Sequence, residues 1–477
     1  EPSATAVGER TEPPALREPP RDRRLPAWLR RIIRRGLSLD PADRYPSMDA
    51  LLADLRRGMC VRRHGLVCAG LAVVATLLGS AGFVAASGLA AGSDDPCAGA
   101  VRELDGAWNA GRKQALEAAF AAAGGPGAAR AASQVEAGLD RYALDLRAMQ
   151  VDSCEATHVR GEQSAALLDL KSECLDGRLA ELRALTSLLL AAEGGTIGHA
   201  VRAVDSLPPV ERCANSAALR EVTPAPESAA GMRVRGVRRR LALGHALYRT
   251  GQLADGLELA AALVADARAL AYRPLEAEAL HLLGSLERAA GRPADAEESL
   301  FSAAAAAEAG RDIEATADAW LELTDLVGES GTRGPQAHRL ARLARGAIER
   351  VGGDPRREAD LEDRLGALHL AGGDLDQARR HLERGLALRR RALGGDHLAV
   401  ADSLRHLAEL ERAGGAPDRA LVLYRRARAI AEARLGPEHP EVARLVAGEA
   451  AARRDVDHRG EPRAEPRTAE PMNRGGP

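Results

Sequence analysis

The stretch "LGGDHLAVADSLRHLAELERAGGAPDRALVLYRRARAIAEARL", residues 393–435, has the pattern of two amphipathic helices joined by a glycine turn. Leu404 and Leu407 recur at helical spacing in the first helix, and Ala420 and Ala427 recur in the second. Small residues on the second helix let the two helices approach closely. Such a hairpin cannot bury its apolar stripe alone, so further hairpins must stack on it.

The same pattern is repeated along the chain. A related phrase, "VGGDPRREADLEDRLGALHLAGGDLDQARRHLERGLALRRRA", begins at Val351, 42 residues before Leu393, and "LGPEHPEVARLV" begins at Leu435, 42 residues after it. The turn glycines Gly373 and Gly415 keep this interval. A fixed period of this length indicates a solenoid of helical hairpins.

The pattern "LGxxHxxVAxSLxxLAxL…G…A…LYxRAxAI" resembles the tetratricopeptide repeat family, in the form found in kinesin light chains, over residues 234–455. The resemblance implies an all-α solenoid that binds a protein or peptide ligand on the repeat array. His397 and His439 recur one repeat apart without a close second ligand, so we expect them to pack or cap loops and not to bind a metal.

Composition agrees with an all-α protein. Aromatic residues make up only 2% of the chain, while Ala, Leu and Arg are abundant, and these three residues enter helices at little cost. The chain has 66 basic and 68 acidic residues and a net charge of −2, which predicts no nucleic-acid partner.

An uncharged run from Gly65 to Ser93 predicts a single transmembrane helix at residues 65–92, with a secretory signal peptide as the alternative. Arginines precede the run and aspartates follow it, which places the N-terminus in the cytoplasm and the C-terminal repeats in the periplasm. We therefore predict a single-pass protein of the inner membrane. Gly88 and Gly92 would let two such helices pack as a homodimer.

Before this run, "LDPADRYPSMDALLADL", residues 39–55, has signals for helix starts. Asp40 is suited to cap a helix, and Ser47 is suited to cap the next. The stretch resembles the C-terminal end of a bacterial Ser/Thr protein kinase domain, here residues 24–58. The resemblance implies that Arg44 is buried and pairs with the Glu of an upstream Ala-Pro-Glu motif. The alternative is a basic amphipathic segment that lies along anionic lipid.

The motifs that perform phosphoryl transfer are missing from the sequence. It has no Gly-rich loop, Val-Ala-Ile-Lys, His-Arg-Asp loop or Asp-Phe-Gly. The kinase resemblance therefore implies an inactive chain with no catalytic, cofactor-binding or metal-binding residues. ATP and Mg are cofactors of the intact kinase family and not of this chain.

Four cysteines lie in residues 94–222, which we predict to be a spacer of two helical hairpins. If the first hairpin turns at "GGPG", Cys97 meets Cys154; if the second turns near "EGGT", Cys174 meets Cys213. Two disulfides are the expected arrangement, and four free buried thiols are the alternative.

Residues 1–23 and 456–477 have the composition of disordered tails. The order of segments resembles that of large membrane-bound Ser/Thr kinases of soil deltaproteobacteria. We therefore expect the sensor or scaffold part of such a kinase, which binds protein or peptide partners through its repeats. The alternative is a membrane-anchored scaffold for envelope assembly with no kinase role.

Overall fold

Helices form nearly all of the regular structure that the computed structural model describes. The described residues are 31–33, 35, 38, 45, 47, 50–52, 97, 102–125, 127–191, 194–226 and 229–460. The chain divides into two units, Glu1–Gly92 and Ser93–Pro477. In the first unit Ser47 Oγ accepts a hydrogen bond from Ala50 N at 3.2 Å, which confirms the expected helix cap.

The prediction of a single-pass inner-membrane protein is corrected by the structure. No helix within the described residues is long and apolar enough to cross a bilayer. The prediction of a cytoplasmic N-terminus and periplasmic repeats depended on such a span. This finding contradicts the predicted localisation. The run at 65–92 that suggested a span lies outside the described residues, as do the tail at 1–23 and residues 461–477.

The second unit begins with a helical block. Asn109 and Ser164 begin two of its helices, because each side chain accepts a hydrogen bond from a backbone N–H in the first turn. Gly124, with φ of 69°, follows one helix in a conformation that favours glycine. The helices are α1 (Arg102–Ala107), α2 (Ala110–Ala123), α3 (Ala128–His158), α4 (Ala165–Leu190), α5 (Gly194–Asp205) and α6 (Ser216–Glu221), with a short 3-10 helix (Val210–Ala214) before α6.

The repeat array follows the block as stacked helical hairpins. We call the first helix of each hairpin an A helix and the second a B helix. The A helices are α7 (Ala229–Arg249), α9 (Arg273–Ala289), α11 (Ile313–Glu329), α13 (Pro355–Ala371) and α15 (Leu398–Ala413), and α17 (Pro440–Gly460) occupies the next A position. The B helices are α8 (Leu253–Ala269), α10 (Pro293–Ala309), α12 (Gly334–Arg350), α14 (Leu375–Leu393) and α16 (Pro417–Leu435). The array is thus an all-α solenoid of helical hairpins that is similar to tetratricopeptide repeats.

Glycines inside the A helices allow the B helices to pack closely. A Cβ atom added to Gly284 would lie 2.7 Å from Leu300 Cγ, and one added to Gly366 would lie 2.5 Å from Leu382 Cγ. Both leucines are fully buried on the following B helix. The two helices of a hairpin therefore meet at a point where no side chain fits.

The helical block packs against the array. Leu398 and Leu435 of the last repeats belong to the same apolar cluster as Leu207, Val210 and Phe120 of the block. The predicted spacer at residues 94–222 is therefore in contact with the repeats. Its helices bury part of their apolar surface on the array.

Candidate protein-binding face of the repeat array

One segment of the chain lies across several repeats. Residues 198–223, which we call the crossing segment, follow the B-to-A connections and the first turns of the A helices. At one end Gly198 O accepts from His439 Nε2 at 2.8 Å. At the other end Thr223 N donates to Gly310 O at 2.9 Å. The segment thus runs from the last repeats towards the early ones, opposite to the order of the array.

The end of the crossing segment that lies on the last repeats is held by ion pairs of both signs. Arg202 forms two hydrogen bonds with the Asp402 carboxylate, at 3.0 and 3.2 Å, and also binds Glu441. Three residues further on, Asp205 accepts two hydrogen bonds from Arg434, at 2.6 and 2.8 Å. One basic and one acidic residue of the segment, Arg202 and Asp205, therefore hold this end of it on the last repeats.

A buried cluster of charges holds the middle of the segment. Arg357 at the start of α13 is 1% exposed and bonds to Asp318 at 2.7 and 2.9 Å, to Glu314 at 3.1 Å and to Asp354 at 3.2 Å. Arg212 of the crossing segment enters the same cluster, with its Nη1 3.3 Å from Asp318 Oδ2 and its Nε 3.6 Å from Asp354 Oδ2. Two guanidiniums thus face three carboxylates.

The pKa of Asp318 reflects this arrangement. Burial would raise the pKa of the Asp318 carboxyl, but the guanidiniums of Arg357 and Arg212 hold it well below its usual range. Charged hydrogen bonds of this kind are among the stronger ones in proteins. Because Arg212 belongs to the crossing segment and Arg357 to α13, the cluster joins two repeats to a segment outside the array.

The helical block holds the crossing segment from the opposite side. Cys213, which is fully buried, forms a disulfide with Cys174 of α4. Tyr142 Oη of α3 donates to Pro208 O at 3.0 Å. The segment is therefore bound on one side by the block and on the other by the array.

Beyond the crossing segment this face continues along the A helices. A cleft of about 520 Å³ lies there between α15 and α17. Arg405, Glu409 and Arg412 contribute from α15, Arg444 contributes from α17, and Tyr424 of α16 also lines it. Three of the four charged side chains that line the cleft are thus basic.

His397 and His439 cap helices, as their recurrence predicted. His397 Nδ1 accepts from Ala399 N at 3.1 Å, and His439 Nδ1 accepts from Glu441 N at 3.2 Å. Among the residues that the structure describes, no group of His, Cys, Asp or Glu could hold a metal ion.

The structure brings the four predicted cysteines together in pairs. Cys97 is bonded to Cys154, with a Cα–Cα distance of 5.7 Å, and Cys174 is bonded to Cys213, with a distance of 5.6 Å. These are the pairs that the mirrored hairpin spacings suggested. The other two predicted structural residues, Asp40 and Arg44, lie outside the described residues.

Sequence reasoning did not identify the crossing segment or its ion pairs. "LPPVERC" indicates only the end of a helix, since two prolines stop it. Arg202 and Arg212 have the same local context as many other arginines in this chain. Their partners lie from 102 to 239 residues away, so no local pattern reveals them.

Comparison with known proteins supports the repeat architecture. The tetratricopeptide repeat family model matches residues 357–433. No curated protein matches the chain significantly. Nothing in these comparisons shows a kinase origin or a deltaproteobacterial type.

Several solved structures are similar to parts of this chain. TPR-like repeats of a Podosopora anserina protein described as a kinesin light chain are 22% identical and cover 42% of this chain and 96% of their own, with a TM-score of 0.34. BtubC (BKLC) from P. vanneervenii is 20% identical and covers 44% of this chain and 90% of its own, with a TM-score of 0.36. Aspartyl phosphate phosphatase F from Bacillus subtilis is 15% identical and covers 79% and 96%, with a TM-score of 0.36.

Proposed function

We propose that this chain is a protein-interaction scaffold that binds a segment of a partner protein along the face formed by its A helices. Tetratricopeptide repeats generally bind protein partners, and the array has the required row of helices. The partner segment lies on the A helices beyond their first turns, because the crossing segment already covers those turns.

The crossing segment is the observation that carries this proposal. It is a stretch of chain that lies along the A helices and pairs its charges with theirs, as Arg202 does with Asp402. Its Thr223 N–H also donates a backbone hydrogen bond to Gly310 O of the array. A face that binds one such segment of its own chain can bind a similar segment of a partner protein with the same kinds of contact.

A display library of random peptides selected on the immobilised chain tests this function. We expect selected peptides to bind in solution and to lose at least tenfold in affinity when Glu409→Ala and Arg412→Ala are combined on the A-helix face. The matched control combines Glu383→Ala and Arg391→Ala on the B helix α14, where affinity is expected to stay unchanged. A selection that yields no binding peptide, or equal losses in both variants, contradicts the proposal.

The narrower form of the proposal is that the scaffold serves a Ser/Thr protein kinase, with the catalytic core absent from this chain. The stretch "LDPADRYPSMDALLADL", residues 39–55, supports it through its resemblance to the end of a kinase domain. Translation of the DNA upstream of Glu1 in all three frames tests it. His-Arg-Asp and Asp-Phe-Gly motifs at kinase spacing are expected, and their absence favours an assembly scaffold with no kinase role.

A further inference from the structure

The B helices present one exposed position that recurs along the array. The fully buried alanines Ala296, Ala337 and Ala378 mark the same register in α10, α12 and α14. Two residues after them, and at the equivalent place in α8 and α16, comes an exposed side chain, and we call this place the outer position. Its occupants in chain order are Glu258, Glu298, Arg339, Arg380 and Val422.

The charge at the outer position changes sign between α10 and α12. Glu258 and Glu298 are acidic, whereas Arg339 and Arg380 are basic. The whole helices follow the same trend, since α8 and α10 carry seven acidic residues and one arginine, whereas α12, α14 and α16 carry fifteen arginines and five acidic residues. The B-helix face therefore has an acidic part, formed by α8 and α10, and a basic part, formed by α12, α14 and α16.

The charges at the outer position are not neutralised within the chain. Arg380 donates to the Gln377 amide oxygen at 3.3 Å. Among the residues that the structure describes, Glu258, Glu298, Arg339 and Arg380 form no ion pair. Their exposed side chains are therefore available to the charges of another molecule.

The surface beside these charges allows close approach. Seven residues after the outer position every B helix has a small residue, and seven residues are about two helical turns, so the two places share a face. These small residues are Ala265, Ala305, Gly346, Ala387 and Ala429. Small side chains at a contact shorten the distance between helix axes. Phe301, which is 54% exposed on α10, adds apolar surface next to Glu298.

We propose that the B-helix face binds a second copy of this chain, with the acidic part of each copy on the basic part of the other. A twofold axis that runs parallel to the B helices, between α10 and α12, keeps equivalent positions at one level and reverses the order of the helices. Glu298 then lies opposite Arg339 of the second copy, and Glu258 lies opposite its Arg380. Both contacts form twice, so the pair is closed.

The face is large enough for a stable dimer. Each of α8, α10, α12 and α14 has 17 or 19 residues, which makes it about 25 Å long. At about 10 Å per helix the four present roughly 1,000 Å², and a specific interface buries about 800 Å² per partner. The inference goes beyond the proposed function, because it uses the B helices and leaves the A-helix face free.

Sedimentation velocity of the full chain, at several concentrations and at low and high salt, measures this association. The parent chain is expected to be a dimer at low salt. Its dissociation constant is expected to rise at least tenfold with added salt, because the exposed charges that hold the two copies together are screened.

Charge reversal locates the interface. Glu258→Arg with Glu298→Arg makes the acidic part basic, and Arg339→Glu with Arg380→Glu makes the basic part acidic. Each double variant alone is expected to associate at least tenfold more weakly, since like charges then face each other. An equal mixture of the two variants is expected to form a dimer of one copy of each, because the reversed parts match in such a pair.

The control reverses two exposed carboxylates of the helical block, with Glu117→Arg in α2 and Asp169→Arg in α4. It is expected to associate like the parent chain. All variants keep the uncharged run at residues 65–92, so association through that run would persist in each of them. Circular dichroism verifies that the variants fold.

The outcomes separate this inference from the proposed function. Association that is equal in the parent and both reversed variants overturns it, as does a mixture of the reversed variants that stays monomeric. A parent chain that is monomeric and binds heparin through its basic part also overturns it, because the occupant is then a polyanion. Library peptides are expected to bind the A-helix face equally in all of these variants, so the scaffold function is judged separately.

Discussion

At the scale of single residues, Arg357 shows how the array tolerates a charge in its interior. A guanidinium that is 1% exposed is costly unless its hydrogen bonds are made, and Glu314, Asp318 and Asp354 provide them. These carboxylates come from α11 and from the residue that precedes α13. Arg212 brings the second positive charge from outside the array. The buried charges are stable because α11, the start of α13 and the crossing segment meet at this point and pair them.

Asp312, at the start of α11, is a residue for which we expect a measurable pH dependence. Burial raises the pKa of its carboxyl to about 6, although the Ala315 N–H that it caps acts in the opposite direction. The native chain therefore binds more protons at this group than the unfolded chain between about pH 4 and pH 6. The free energy of unfolding falls as the pH rises through this window and stays reduced above it.

Asp312→Asn is expected to remove this fall, because asparagine keeps the helix cap but carries no charge. Near pH 7 the variant is expected to be more stable than the parent by roughly 2 kcal/mol, and the difference is expected to vanish near pH 4. Urea unfolding from pH 4 to pH 8 measures it. Asp374→Asn, at the exposed cap of α14, serves as the control. A gain for Asp312→Asn that does not vary with pH contradicts the expectation.

At the scale of helices and hairpins, the packing of A on B depends on the glycines of the A helices. Gly366→Ala is expected to destabilise the chain by about 1–3 kcal/mol, because its Cβ would lie 2.5 Å from Leu382, which is fully buried. Gly346→Ala in α12 meets nothing within 4 Å and is expected to be neutral or slightly stabilising. Thermal unfolding of both variants gives the comparison. Equal effects would show that the close contact at Gly366 does not limit the packing.

The hairpins could be predicted from the sequence, whereas the crossing segment could not. A repeat of 42 residues, with apolar residues at helical spacing and turn glycines such as Gly373 and Gly415, is a local signal that occurs more than once. The pairing of Arg212 with Asp318 occurs once and joins residues 106 positions apart. It depends on how α11 and α13 come together in space, and the local sequence around Arg212 does not contain that information.

At the scale of the whole molecule, the crossing segment changes how the array holds together. In a simple solenoid each repeat contacts only its neighbours. Here one segment reaches Gly310 before α11, Asp354 before α13, Asp402 in α15 and Glu441 in α17. Repeats that do not touch one another are thereby linked, so we expect them to unfold together.

The two disulfides allow this linkage to be tested. They close loops of similar length, with cysteines 57 and 39 residues apart, so the loss of either is expected to cost about 4 kcal/mol on a chain-entropy account. Their positions differ, because Cys174–Cys213 fixes the crossing segment, whereas Cys97–Cys154 lies within the block.

Replacing both cysteines of the Cys174–Cys213 pair by serine is therefore expected to raise amide hydrogen exchange in α11, α13 and α15 as well as in the block. The same change at Cys97 and Cys154 is expected to raise exchange in α1 and α3 and to leave the array protected. Both variants lose one disulfide and gain two hydroxyls, so each is the control for the other. Exchange that rises only within the block in both variants would mean that the array holds its form without the crossing segment. Exchange that spreads from Cys213 into α15 would instead show that the segment acts as a brace across the repeats, through the ion pair of Arg202 with Asp402.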